Sequence, residues 1–96
     1  TMPQENLTEM YMETVEPLCR ASNADVNYVQ VLRAYIENHY NISKTASDLH
    51  IHRNTMMNYM ARIQELLPYN IGQPENRLKL QIGIHAMYLL DKQNES

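Results

Sequence analysis

The chain has 96 residues, a length that fits one small domain with a single modest core. It holds no Phe and no Trp but seven Met and seven Tyr, so aliphatic residues, methionine and tyrosine must build that core, and one cysteine excludes an internal disulfide or a Cys-based metal cluster. The net charge of −3 weighs against a phosphate-bearing partner, but the charge is unevenly spread. Residues 1–25 carry Glu5, Glu9, Glu13, Glu16 and Asp25 against Arg20, a balance of −4. Residues 26–73 carry Arg33, Lys44, Arg53 and Arg62 against Glu37, Asp48 and Glu65, a balance of +1, with His39, His50 and His52 in the same stretch. The mildly basic middle permits DNA binding without requiring it. No run approaches the roughly 20 apolar residues that cross a bilayer, and the opening "TMPQENLTE" lacks the basic start and apolar run of a signal peptide. A soluble protein of the reducing cytoplasm is expected, and a start at Thr1 fits a processed product or a segment of something longer.

Two glycines, no strand-type alternation and recurrent 3.6-residue periodicity predict an all-α fold, a small bundle of about five helices. Leu7, Met10, Tyr11, Val15 and Leu18 share one helical stripe, which Pro17 ends or kinks near Val15. "SNAD" (22–25) is a turn or cap cluster, and from Asp25 as N-cap the next helix places Val29, Leu32, Ile36 and Tyr40 on one face, widened by Val31 and Tyr35. Asn41 or Ser43 caps a short helix to about Leu49, "HIH" turns the chain, and a second helix from Arg53 carries Met56, Met60, Ile63 and Leu67 inward before Pro68. After the loop "PYNIGQ", Pro74 opens a last helix to about Asp91, with Gln73 as a modest cap. That helix has two apolar stripes, Leu78, Ile82 and Leu89 on one and Leu80, Ile84 and Met87 on the other. Either the helix is buried centrally, or its second stripe meets another surface such as a second copy of the chain.

The stretch "NISKTASDLHIHRNTMMNYMARI" (41–63) has the parts of a helix-turn-helix. Ala46 is the small residue that lets two helices cross closely, Leu49 and Ile51 bracket the turn, and Met56 and Met60 anchor the second helix. On a helical wheel centred on Met56, Asn54 and Asn58 point away from the core, with Thr55 and Arg62 on one flank and Ala61 on the other. Asn pairs both ways with adenine, Thr meets a base or the thymine methyl, and Arg engages guanine or phosphate. The helix start at His52 and Arg53 turns unpaired amides outward, which favours phosphate, and Ser43 and Lys44 are suited to the sugar-phosphate backbone. A surface hairpin with solvated polar residues satisfies the same spacing.

"LRAYIENHYNISKTASDLHIHRNTMMNYMARIQELL" followed by "PENRLKLQIG" resembles the C-terminal helix-turn-helix domain of the PucR-type and sugar-diacid-type bacterial transcriptional regulators, and is similar in outline to Fis-like helix-turn-helix proteins. The resemblance covers about residues 26–91 and rests on "LRAYIEN", "NISKTA", "IHRNT" across the turn, "RI-x-ELL" and "PE-x-RL-x-LQ". It implies sequence-specific binding of double-stranded DNA, with a sensing domain upstream of this chain. It assigns base contacts to His52, Arg53, Asn54, Thr55 and Asn58, to which the reading of the residues adds backbone contacts from Ser43, Lys44, Tyr59 and Arg62. Two departures stand out: family members usually have Tyr-Arg at Asn58-Tyr59, and leucines at Met56, Met57 and Met60. Leu-to-Met exchanges conserve volume, but the missing arginine removes a phosphate or base contact.

Other chemistry finds no constellation. His50-x-His52 lacks a third ligand for zinc, Cys19 lacks a partner base, His85 reads as a core or interface histidine, and there is no phosphate loop, zincin motif or nucleophile elbow. The acidic residues Glu5, Glu9, Glu13 and Glu16 form a solvated face that would repel DNA and so orient the domain. The resulting expectation is a non-enzymatic DNA-binding domain at 26–96, with the helix-turn-helix at about 42–67 and the last helix at about 74–91. An acidic helical extension occupies 1–25, and no metal, cofactor or small-molecule ligand is expected on this segment. Dimerisation through the last helix would pair two half-sites, and the rival function is a helical protein-interaction module without DNA binding.

Overall fold

The computed structural model describes residues 4–94. Among them the chain forms six helices and no strand: α1 (Gln4–Thr14), α2 (Glu16–Ala21), α3 (Tyr28–Glu37), α4 (Ile42–Asp48), α5 (Arg53–Leu66) and α6 (Pro74–Asn94). The first expected stripe is divided at Val15. Pro17 sits in the first turn of α2, where its missing N–H costs no helical bond, and its ring prevents α1 from running on. Val15 and Leu18 are nonetheless fully buried in the same core, so the break redirects the stripe without losing it.

α3 begins later than the sequence predicted. Asn27, not Asp25, is its N-cap, accepting the Gln30 N–H at 3.1 Å. Asp25 belongs to the preceding turn, in which Asn23 Oδ1 accepts the N–H groups of Asp25 and Val26 at 2.8 and 3.0 Å. α3 also ends at Glu37, so Tyr40 is not on its face. His39 and Tyr40 adopt left-handed backbone (φ 55 and 63), with Tyr40 N–H bonded to Tyr35 O and His39 N–H to Ile36 O. This pair of bonds satisfies the last carbonyls of the helix and stops it. The Tyr40 ring then packs edge-on against Tyr35 and beneath the Arg77 guanidinium at 3.8 Å, and its hydroxyl accepts from Gln81 Nε2 at 3.1 Å. The turn before α4 is thereby tied to α6.

The two stripes of α6 part company. Leu80 (1% exposed) and Ile84 enter the core with Met87 packed against it, whereas Leu78 and Ile82 stay 58% and 40% exposed. The helix is therefore not wrapped on all sides by this chain. α1 lies along α6 so closely that a Cβ at Gly83 would sit 1.8 Å from Thr14 Oγ1. Thr14 tolerates this depth because its hydroxyl donates to Met10 O within its own helix. Between α5 and α6, Tyr69 packs under Lys79 Nζ (5.1 Å), and its hydroxyl is buried with no protein hydrogen-bond partner among the described residues. Burial first and the charge of Glu13 second push the Tyr69 pKa up to about 12.

Candidate nucleic-acid interface

α4 starts at Asn41, whose Oδ1 accepts the Lys44 N–H at 2.9 Å while Thr45 Oγ1 donates to Asn41 O at 2.6 Å. Of the two caps the sequence left open, Asn41 is used, so the Ser43 hydroxyl can serve elsewhere. It accepts from Arg53 Nε at 3.1 Å and bridges the outer sides of α4 and α5.

The link between α4 and α5 is a tight reversal. His50 is left-handed (φ 57), its N–H bonds to Ser47 O at 3.1 Å, and the Ile51 N–H returns to Ala46 O at 3.0 Å. Ala46 is buried at the crossing, and Leu49 and Ile51 pack their half-buried side chains onto the core on either side of the turn. His52 then caps α5: its Nδ1 accepts the Asn54 N–H at 3.4 Å and its carbonyl accepts the Met56 N–H at 3.0 Å.

α5 is divided lengthwise. Met56, Met60 and Ile63 are buried, with Leu67 just beyond the helix, as the spacing required. Arg53, Asn54, Met57, Asn58, Ala61 and Arg62 are exposed, and Ser43 and Lys44 are exposed on α4. Thr55 and Tyr59 are set back, both half-buried, and the Tyr59 ring stands edge-on to Tyr28 at 6.1 Å. The Arg62 guanidinium lies 3.3 Å from Glu65, a surface pair on the same helix. The exposed face of α5 thus carries the amides of Asn54 and Asn58 and the guanidinium groups of Arg53 and Arg62, with Lys44 exposed on α4.

The model of the PucR C-terminal helix-turn-helix domain matches residues 28–86 of the chain. The chain belongs to this family. The PucR-type match runs from the first residue of α3 to the buried Ala86 of α6, so it includes both left-handed histidine turns and the whole of α4 and α5. Over 89 residues, 93% of the chain, it is 30% identical to the purine catabolism regulatory protein of Bacillus subtilis (strain 168). The chain spans 17% of that protein's length. As a helix-turn-helix domain of a transcriptional regulator family, this PucR-type chain falls in the class that serves DNA-binding transcription regulation, which is not an enzyme class.

Sequence reasoning passed over Met57 on this PucR-type face. Met57 is 47% exposed, lies among the polar residues of α5, and its sulfur is 3.4 Å from Arg53 Nη1. The signal was present, since Met57 lies about 100° around the wheel from buried Met56, well outside the inward positions. Of the three methionines only Met56 and Met60 were expected inward, and Met57 was given no place on the outer face.

Proposed function

We propose that the chain is the output domain of a bacterial transcriptional regulator that reads a specific double-stranded DNA sequence, with α5 in the major groove. The observation that carries this reading is the division of α5 into a buried methionine face and an exposed face of Arg53, Asn54, Asn58 and Arg62. Major-groove base edges are recognised by amides and guanidinium groups of this kind. Arg53 is held toward α4 by Ser43, which limits the rotamers it must give up on binding. His52, Arg53, Asn54, Thr55 and Asn58 read bases, with Thr55 contributing from the edge of the face. Ser43, Lys44, Tyr59 and Arg62 hold the backbone, Tyr59 through its hydroxyl end. Residues 26–96 form the DNA-binding unit. Residues 1–25 are an acidic extension whose exposed Glu5, Glu9 and Glu13 keep that side away from DNA. Such a regulator works in the cytoplasm, and no helix among the described residues is long and apolar enough to cross a membrane.

The exposed stripe on α6 supports a second role within the same reading: two copies join through α6 and present paired half-sites. An interaction module without DNA binding is the competing function, and salt separates the two. DNA affinity falls steeply as salt rises through counterion release, whereas an apolar docking surface barely responds.

The test is selection of random duplex DNA at low salt on the purified chain, with Arg53→Ala and Lys44→Ala in parallel. Enrichment of a short motif is expected, with Arg53→Ala losing about 1–3 kcal/mol on that motif and Lys44→Ala weakening all sequences alike. If Arg53→Ala binds its best motif as tightly as the parent, the assigned reading face is wrong.

A further inference from the structure

Along the exposed side of α6, Glu75, Leu78, Ile82, His85, Leu89 and Lys92 recur at alternating spacings of three and four. This is the spacing of a coiled-coil seam. All but half-buried Leu89 are exposed, and the neighbouring cations are turned away: Arg77 lies over the Tyr40 ring and Lys79 over the Tyr69 ring. The only charges on the seam are therefore Glu75 in the first turn and Lys92 in the last, and neither is in an ion pair among the described residues.

We infer that α6 pairs with α6 of a second copy of this chain as an antiparallel two-helix seam whose two-fold axis passes between Gly83 and Ile84. In that register Glu75 faces the partner's Lys92, Leu78 faces the partner's Leu89, and Ile82 faces the partner's His85. Every layer of the seam is satisfied by one rotation, which is the self-complementarity a two-fold interface demands. The axis falls at the middle of α6, so the paired stretch from Glu75 to Lys92 runs about 27 Å at 1.5 Å per residue. A parallel pairing sets Glu75 against Glu75, His85 against His85 and Lys92 against Lys92, with like charges at both ends. The self-complementary charges select a second copy as the occupant, and the antiparallel direction as its orientation.

This inference rests on the dimer of the proposed function and adds its direction and register. The test uses the 96-residue chain with Cys19→Ser as background, so that any disulfide comes from introduced thiols. Leu78→Cys and Leu89→Cys chains are oxidised separately and as an equimolar mixture. The antiparallel register expects a mixed disulfide between the two variants and little product from either alone. Two copies of position 78 would lie about 16 Å apart along the seam, beyond the reach of a disulfide. Disulfides formed by Leu78→Cys alone would overturn the register while leaving dimerisation through α6 intact. Sedimentation equilibrium provides the separate check on that dimer. Ile82→Glu, outside the core, is expected to keep the helical circular dichroism and weaken self-association at least about tenfold. A chain that stays monomeric at millimolar concentration, or a dimer indifferent to Ile82→Glu, would overturn both the seam and the dimer beneath it.

Discussion

α5 and α6 solve the same packing problem and leave opposite surfaces. Each buries one stripe, Met56, Met60 and Ile63 on α5 and Leu80 and Ile84 on α6. The outer side of α5 then presents amides and guanidinium groups, while the outer side of α6 presents Leu78 and Ile82, with Leu89 half-buried beside them. Inner faces of helices in one small core resemble one another because all meet the same apolar interior. Outer faces differ, and in the proposed function one meets polar groove edges and the other an apolar partner.

The sharpest way to break this comparison is within α5 itself. Met56→Ala is expected to cost about 2–5 kcal/mol in urea unfolding because it empties a fully buried site, whereas Met57→Ala next to it should change stability by less than about 0.5 kcal/mol. Equal losses would mean that the two sides of α5 are not distinct. On α6 the corresponding test is Gly83→Ala, whose new Cβ would collide with Thr14 Oγ1 and Cβ and push α1 off the helix. A loss of about 1–3 kcal/mol by thermal or urea unfolding is expected.

A smaller effect of opposite sign is expected at the turn that aims α5. His50 holds a left-handed conformation at a cost of about 1–2 kcal/mol, and glycine would remove this while adding about 0.5–1 kcal/mol of unfolded-chain freedom. His50→Gly should therefore raise stability by about 0.5–1 kcal/mol, with an unchanged circular dichroism spectrum. The equivalent change at Tyr40 is expected to fail, because its ring and hydroxyl are engaged by Arg77, Tyr35 and Gln81.

The smallest effect at neutral pH concerns the loop joining the two helices. Tyr69→Phe removes a buried hydroxyl that has no protein partner among the described residues, so stability at pH 7 should hold or rise slightly. In alkali the two chains should diverge. The folded Tyr69 pKa is raised to about 12 from 10, so the contribution is fully present below pH 10 and is lost as pH rises toward 12, where the unfolded chain gives up this proton first. Tyr69→Phe should accordingly lose less stability over that window in pH-dependent urea titrations.

The helix-turn-helix was the most legible part of the sequence. The start at Arg53 and the inward Met56, Met60, Ile63 and Leu67 follow from caps and spacing, which are local properties, while the cap of α4 was narrowed to Asn41 or Ser43. The ends of α3 were less legible. Asp25 and Asn27 are both good caps, and the choice between them is made by the Asn23 turn that consumes the Asp25 N–H. His39 carries no mark of a left-handed stop that glycine would have supplied, so the apolar pattern ran on to Tyr40. At the site, spacing set Thr55 on a flank of the outer face and Tyr59 was expected at the DNA backbone, and the structure shows both set back and half-buried, with Tyr59 packed on Tyr28.

The sequence by itself determined that this protein is helical, where α5 begins, and which side of α5 is apolar, because periodicity, capping and proline geometry act within a few residues. Only the tertiary structure decided which stripe of α6 faces inward, how closely α1 approaches it over Gly83, and that Ser43 reaches Arg53 across the turn. Those outcomes depend on groups far apart in the chain competing for the same small interior, and local pattern carries no information about which of two equally apolar faces will win it.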